Sequence, residues 1–284
     1  MARARVGGVD LAYDLSGPAD GDVVLVVSGL IDTLQHWPAG MVWRLAEAGY
    51  RTLRYDTRDC GQSTWFSGAG LAGTGLVYTL DDLADDALGL LDALGIVRAH
   101  VVGFSMGGCV AQIMATKAPG RVASLVPFMS TSRAPGLPPV VRSDFKPTTA
   151  DPFKDGADAE ARLQALLRHS DGSVHARSAD EKRLWIDQLL ARGYNPAGVA
   201  RQSAAMRESA AHHERLAAIR APTTVIQTDE DKYFNRAHGE DLARRIPGAR
   251  LEVIPGAGHA FSLSLVPIVA NLIGAHLSRA RAGG

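Results

Sequence analysis

Ser105 stands at the centre of the stretch best suited to chemistry, Gly-Phe-Ser-Met-Gly at residues 103–107. This Gly-x-Ser-x-Gly pattern lies between an apolar run that predicts a strand and a run, 109–115, that predicts a helix. Glycine is needed on both sides of the serine because side chains there would collide where the chain reverses sharply. Amides at the start of the following helix can stabilise an anion that forms beside the hydroxyl. The pattern predicts that Ser105 is a nucleophile.

A base is the second requirement, because a serine hydroxyl is a poor nucleophile at neutral pH. The base is normally a histidine whose ring is oriented by a carboxylate, and parallel sheets place such groups in loops after their strands. His259 follows a predicted strand, 251–254, through a glycine-rich loop. The other eight histidines lie before a strand, at helix starts, in the last helix or in the proline-rich middle of the chain. We predict that His259 is the base.

The acid is expected in the loop after another predicted strand, 223–228, which reads Asp229-Glu230-Asp231. Asp231 is favoured because three residues beyond the strand leave the chain room to turn toward His259. Asp229 is the alternative. The loop after the predicted strand 122–128 contains no carboxylate, which removes the other position from which an acid could reach the base.

Alternating strands and helices position these three residues. Residues 3–15 predict a hairpin, and the apolar run 23–27 predicts a strand buried on both faces. Further strand and helix signals alternate up to residue 132 and again from 216, which indicates a parallel sheet with helices on both faces. Prolines break this rhythm in between, and polar helical stretches follow at 158–170, 178–192 and 197–219. We predict an α/β core of residues 1–132 and 216–284, with a helical cap insertion over 133–215.

Composition narrows the function classes. The formal net charge of +0 argues against nucleic acid or an anionic membrane as the main partner. No run approaches the roughly 18 apolar residues of a membrane span, and no signal peptide is visible at the charged N-terminus. Cys60 and Cys109 are the only cysteines and lack metal-ligand spacing, so no metal or cofactor is expected. We expect a cytoplasmic monomer or homodimer acting on a small molecule.

Three other patterns receive less functional interpretations. The Gly-x-Gly-x-x-Gly match at 68–73 follows no strand and opens no helix, which favours a flexible loop over a dinucleotide site. Arg58 lies between Asp56 and Asp59, which predicts a buried ion pair that braces the turn. His213 begins a helical run without the second histidine of a zinc helix.

The order Ser105, Asp231, His259 is that of α/β-hydrolases, and the chain resembles that superfamily over nearly its whole length outside the insertion. Residues 56–64, in the form Asp-x-Arg-Asp-x-Gly-x-Ser-Thr, are similar to those of aclacinomycin methylesterase-like enzymes, as are residues 97–107. Those relatives hydrolyse a methyl ester on an anthracycline polyketide. The resemblance implies a mostly parallel eight-stranded sheet and an oxyanion hole formed by the amides of Leu30 and Met106. Ser28 departs from the His-Gly that the family commonly has before this loop.

The predicted pocket lies near the strand ends and beneath the cap. Few formal charges fall there, which favours a small, largely uncharged and largely apolar substrate, with an aromatic or polyketide molecule as one candidate. The candidate substrate-binding residues are Asp32, Trp37, Phe128, Met129, Trp185, Tyr233 and Phe261. The leading hypothesis is a serine esterase. The same three residues would also serve a lactonase, a C–C bond hydrolase or a non-hydrolytic cyclase, and a ligand-binding receptor is the alternative from another class.

Overall fold

The computed structural model describes residues 2–67, 76–138 and 156–282. Its strands are β1 (Ala2–Val6), β2 (Val9–Ser16), β3 (Asp22–Val27), β4 (Tyr50–Tyr55), β5 (Ala99–Phe104), β6 (Val122–Phe128), β7 (Thr224–Thr228) and β8 (Arg250–Ile254). Its α-helices are α1 (Ala39–Glu47), α2 (Leu80–Ala93), α3 (Met106–Lys117), α4 (Gly156–Ser170), α5 (Ala179–Arg192), α6 (Pro196–Glu208), α7 (Arg236–Arg245) and α8 (Val266–Ala282). The glycine pattern at 68–73 and the prolines at 139, 147 and 152 lie outside the described residues.

One eight-stranded sheet runs through the molecule in the order β1-β2-β4-β3-β5-β6-β7-β8. β1 and β2 form the predicted antiparallel hairpin, and β2 also pairs antiparallel with β4. All other neighbouring strands pair in parallel. The central strands β3, β5 and β6 are mostly apolar because helices cover both of their faces. One core layer lies against α2 and α3, and the other against α1 and α8. The predicted fold class is confirmed.

Helix α2 shows how local sequence sets the element boundaries. Thr79, which directly precedes the helix, accepts a hydrogen bond on Oγ1 from the Asp82 amide at 3.3 Å. The Asp82 carboxylate accepts in return from the Thr79 amide at 2.7 Å. This reciprocal pair satisfies amides that the first helical turn leaves free. The helix therefore begins at Leu80, directly after this cap.

The segment between β6 and β7 contains α4, α5 and α6, and no strand is found within its described parts, 133–138 and 156–215. The first two helices match the predicted stretches 158–170 and 178–192. The third prediction, 197–219, is wrong as a single helix. Ser209 adopts extended backbone angles and ends α6, and a separate 3₁₀ helix follows at His213–Ala218.

Arg58 does not pair with its two neighbouring aspartates, so the predicted ion pair within the turn is wrong in its partners. Its guanidinium instead donates to both carboxylate oxygens of Asp86 on α2, each at 2.6 Å. Phe66 and Tyr78 lie beside the same guanidinium, with ring centroids at 5.4 and 5.3 Å. Arg58 thus fastens the turn after β4 to α2.

The two aspartates of this turn pair with arginines of the insertion. Asp56 receives the Arg192 guanidinium of α5, with Nε 2.8 Å from Oδ2. Asp59 receives Arg201 of α6 on both oxygens, at 2.6 and 2.8 Å. Both carboxylates are fully buried. Two ion pairs therefore connect the turn after β4 to the insertion: one joins Asp56 to α5, and the other joins Asp59 to α6.

The C-terminal stretch is an exception to the prediction that no run is apolar enough for a membrane span. Within the described residues, the stretch Leu263–Ala282 is long and apolar enough to cross a membrane by length and composition. Its side chains Val269, Ile273 and Leu277 are nevertheless completely buried in the core layer shared with α1 and the sheet. Packing against the sheet accounts for the apolar character of α8.

Candidate active site

Ser105 occupies the turn between β5 and α3 with φ 54°, in the left-handed region that non-glycine residues seldom adopt. Neighbouring groups hold this conformation. The Ser105 amide donates to the carbonyl of Phe128 at 2.9 Å. The Ser105 carbonyl accepts from the Gly108 amide and from the Ser130 hydroxyl, each at 2.9 Å. The backbone of Ser105 is therefore held by hydrogen bonds at both its amide and its carbonyl.

The flanking glycines are required by close backbone approaches. A Cβ on Gly103 would overlap the carbonyl of Gly107, and a Cβ on Gly107 would overlap the carbonyls of Val27 and Ser28. These overlaps are with backbone atoms, which cannot give way cheaply. The loop after β3 is thus packed directly against the start of α3, beside the nucleophile.

His259 lies between the Ser105 hydroxyl and the buried carboxylate of Asp231. Its Nε2 is 2.9 Å from Ser105 Oγ, and its Nδ1 is 2.6 Å from Asp231 Oδ2. In the neutral tautomer with the proton on Nδ1, the ring donates to the carboxylate and accepts from the hydroxyl. His259 thus joins Asp231, 28 positions before it in the chain, and Ser105, 154 positions before it, in one continuous hydrogen-bonded series.

The structure distinguishes the two candidate acids. Asp231 is completely buried, and its second oxygen accepts from the amides of Tyr233 and Phe234 at 2.7 and 2.8 Å. These bonds orient the carboxylate toward the imidazole. Asp229 is exposed, and its Oδ1 accepts from the Gly256 amide at 2.8 Å, which fastens the loop after β8. Asp231 is the carboxylate that reaches His259.

Aromatic rings surround the imidazole of His259. The ring centroid of Tyr233 lies at 4.9 Å, that of Phe104 at 5.2 Å and that of Phe234 at 5.5 Å. Tyr233 was among the predicted pocket residues, whereas the sequence reasoning missed Phe104 and Phe234. Their positions in the chain could have indicated them, because Phe104 directly precedes Ser105 and Phe234 lies three residues after Asp231.

Three predicted pocket residues belong to the hydrophobic core instead. Phe128 and Met129 have no exposed surface, and Trp37 is 3% exposed. Phe128 and Met129 at the end of β6, and Trp37 just before α1, pack into the layer between the sheet, α1 and α8. Phe261 is partly buried and packs edge-to-face on Trp37 and Phe128 at 5.4 and 5.5 Å.

Asp32 and Trp185, predicted separately, are in contact. The Trp185 indole of α5 donates from Nε1 to Asp32 Oδ1 at 3.2 Å. His36 stacks on the same indole, with ring centroids 4.6 Å apart, and its Nδ1 lies 3.1 Å from Asp32 Oδ1. The loop after β3 is therefore joined to the insertion next to the candidate oxyanion hole.

The two amides predicted to form that hole lie in the expected elements. Met106 is the first residue of α3, and Leu30 lies in the loop that packs against the same helix start. Neither amide meets a hydrogen-bond acceptor within the described part of the chain. Beneath the loop, the Ser28 hydroxyl is buried and has no partner among the described residues. Ser28 therefore supplies none of the hydrogen bonds of a histidine at this position.

The cysteines do not compete as nucleophiles. Burial raises the pKa of the Cys109 thiol and raises the pKa of the Cys60 thiol still further, so both remain protonated at neutral pH. No group of three or more histidine, cysteine or acidic side chains suited to a metal ion occurs within residues 2–67, 76–138 and 156–282. Ser105, His259 and Asp231 are the candidate catalytic residues that the structure brings into contact.

Comparison with known proteins gives the family. A model of the α/β hydrolase fold matches residues 22–264. The chain is 32% identical to the putative carbamate hydrolase RutD of Variovorax paradoxus, over 96% of this chain and 98% of the relative. It is 30% identical to the rhodomycin D methylesterase DauP of a Streptomyces species, over 92% of each. The solved enol-lactonase of Burkholderia xenovorans superposes with a TM-score of 0.77 at 25% identity, covering 98% of this chain and 100% of that one.

The chain belongs to the α/β hydrolase fold family. It is an enzyme of that family, an ester-cleaving hydrolase. The methylesterase relatives also confirm the resemblance inferred from residues 56–64 and 97–107.

Proposed function

We propose that the protein is a serine hydrolase that cleaves a carboxylic ester of a small, largely apolar substrate. The observation that carries this proposal is the hydrogen-bonded series from Ser105 Oγ through His259 to Asp231, at 2.9 and 2.6 Å. A hydroxyl, an imidazole and a buried carboxylate in this arrangement are the groups that acyl transfer through a serine requires.

The reaction follows in two halves. Ser105 Oγ attacks the ester carbonyl while His259 Nε2 accepts its proton, and Asp231 stabilises the resulting imidazolium. The amides of Leu30 and Met106 stabilise the negative oxygen of the tetrahedral intermediate. His259 then gives the proton to the departing alcohol, which leaves an acyl group on Ser105. Water, deprotonated by His259, releases the carboxylic acid and restores the serine.

The relatives and the site support an ester or lactone of a neutral, aromatic molecule. The similar proteins include methylesterases, a putative carbamate hydrolase and an enol-lactonase, and each of these substrates presents a carbonyl bonded to a heteroatom leaving group. The rings of Phe104, Tyr233 and Phe234 form an apolar surface around the base. We further propose that residues 133–215 act as a cap over this site and that the enzyme works in the cytoplasm without a cofactor.

Hydrolysis in water labelled with oxygen-18 tests the proposal. A panel of p-nitrophenyl and methyl esters of aromatic acids is expected to give acids that carry one labelled oxygen. A lactone is expected to yield a hydroxy acid with the same single label, because the leaving group stays attached. Turnover to a product without label would contradict hydrolysis and favour the cyclase. Absence of turnover on every ester and lactone would contradict the proposed substrate class.

A further inference from the structure

Ile31, in the loop after β3, has φ 71°, in the left-handed region of backbone space. A β-branched residue is a genuine outlier there, because its branched side chain crowds the neighbouring backbone. The other non-glycine residues with positive φ in the described part of the chain are not β-branched; they are Asp59, Ser105, Met129 and Arg133. Such a conformation persists only when surrounding structure holds it.

The insertion supplies the contacts that hold Ile31. The side chain is 7% exposed and belongs to a hydrophobic cluster whose other buried members all lie between β6 and β7: Leu163, Leu167, Ile186, Leu189, Tyr194 and Val199. The Ile31 amide donates to Gln202 Oε1 of α6 at 3.4 Å. The Gln202 amide group is itself fixed, since its Nε2 donates to Thr57 Oγ1 and to the Arg58 carbonyl, each at 2.9 Å.

The residues after Ile31 are held in the same way. Asp32 accepts from the indole of Trp185 on α5 at 3.2 Å. The Leu34 amide donates to Asp56 Oδ1 at 2.9 Å, and Asp56 is the carboxylate paired with Arg192 at the end of α5. The loop 31–34 is thus attached to α6 through Gln202, to α5 through Trp185, and to the turn after β4 through Asp56.

Leu30, the proposed oxyanion donor, directly precedes Ile31. If Ile31 relaxed to a negative φ, the chain before it would turn and the Leu30 amide would leave its position beside α3. We infer that Ile31 is a positioning residue: its side chain, seated in the insertion, holds the loop in the conformation that aims the Leu30 amide at the reacting carbonyl. This inference rests on the proposed function. It makes the oxyanion hole dependent on the docking of the insertion rather than on the sheet alone.

Substitutions at Ile31 separate positioning from packing. Ile31→Val keeps a branched apolar side chain in the hydrophobic cluster and is expected to retain kcat within about twofold. Ile31→Ala loses the anchor but keeps a Cβ that opposes φ 71°, so kcat is expected to fall about 10²-fold, the cost of losing one oxyanion donor. Ile31→Gly also loses the anchor, but glycine adopts positive φ without strain, so its kcat is expected to exceed that of Ile31→Ala. KM is expected to stay within about threefold in all three.

An independent measurement reports on the oxyanion hole. The affinity for a phenylboronic acid, which forms a tetrahedral adduct on a serine, is expected to weaken in the same order as kcat. Gln202→Met, which removes the acceptor for the Ile31 amide, is expected to lower kcat about tenfold at nearly constant KM. This variant provides the test if Ile31→Ala does not fold. Ile273→Ala, a deletion in the core layer on the α8 side of the sheet, is the control and is expected to lower stability while keeping kcat.

A packing role alone predicts that kcat follows side-chain size, with Ile31→Gly below Ile31→Ala. That order would overturn the inference, as would wild-type kcat in both Ile31→Ala and Gln202→Met. Either result leaves the proposed function intact as long as the wild-type enzyme hydrolyses esters. Failure of the wild-type enzyme to do so would instead contradict the proposed function.

Discussion

A Ser105→Ala enzyme is expected to lose about six orders of magnitude in kcat toward any ester that the wild-type enzyme cleaves. The hydroxyl is the atom that forms the acyl bond, and none of the other groups in the site replaces it, because the buried thiols of Cys60 and Cys109 stay protonated. The fold is expected to be retained, since alanine at this position removes one oxygen. Steady-state hydrolysis of a p-nitrophenyl ester measures the loss, with enzyme concentrations high enough to detect the remaining rate.

Ser278→Ala on the exposed side of α8 is the matched control, and it is expected to keep wild-type kcat. Ester hydrolysis by Ser105→Ala at more than about a hundredth of the wild-type rate would show that another group starts the reaction. Unchanged far-ultraviolet circular dichroism in both variants separates a chemical loss from a folding defect.

Arg192→Met is expected to lower the free energy of unfolding by about 3–5 kcal/mol, because it leaves a buried carboxylate without its cation. The Asp56 and Arg192 side chains are 0% and 3% exposed. Methionine fills a similar volume, so the loss reports the uncompensated charge rather than a cavity. Urea denaturation monitored by tryptophan fluorescence and circular dichroism measures the change.

The control lies on the same helix. Arg183 is 63% exposed and pairs with Asp187 one turn along α5. Arg183→Met is expected to change the free energy of unfolding by no more than about 0.5 kcal/mol, as is usual for exposed pairs. If the two substitutions changed the free energy of unfolding equally, the Asp56–Arg192 ion pair would contribute no more to stability than an exposed surface pair.

Features of the structure that depend on residues close together in the chain could be predicted from the sequence. The Gly-x-Ser-x-Gly turn specifies its own backbone path, because Gly103 and Gly107 are the residues that allow the close approaches around Ser105. The sheet could be predicted for the same reason, since strands covered on both faces have continuous apolar runs. The cap of α2 at Thr79 follows from two residues three positions apart.

The long-range partners of the ion pairs could not be predicted. Arg58 was paired with its chain neighbours, yet the aspartates on either side of it bind arginines that are 136 and 142 positions away. Nothing in the local pattern encodes those distances. The direction of a side chain at a strand end is equally hidden, which is why Phe128 and Met129 were placed in the pocket although the core encloses them. The strain at Ile31 is likewise invisible in the sequence, because only the packing of the insertion makes it tolerable.

Mass spectrometry after reaction with a fluorophosphonate tests most directly whether Ser105, His259 and Asp231 act as one unit. A single covalent adduct is expected on the peptide that contains Ser105, and ester hydrolysis is expected to fall in proportion as this adduct forms. His259→Ala is expected to slow the labelling by several orders of magnitude, because the hydroxyl then lacks a base. An adduct on a different residue, or ester hydrolysis that continues at full rate after Ser105 is completely labelled, would contradict the account.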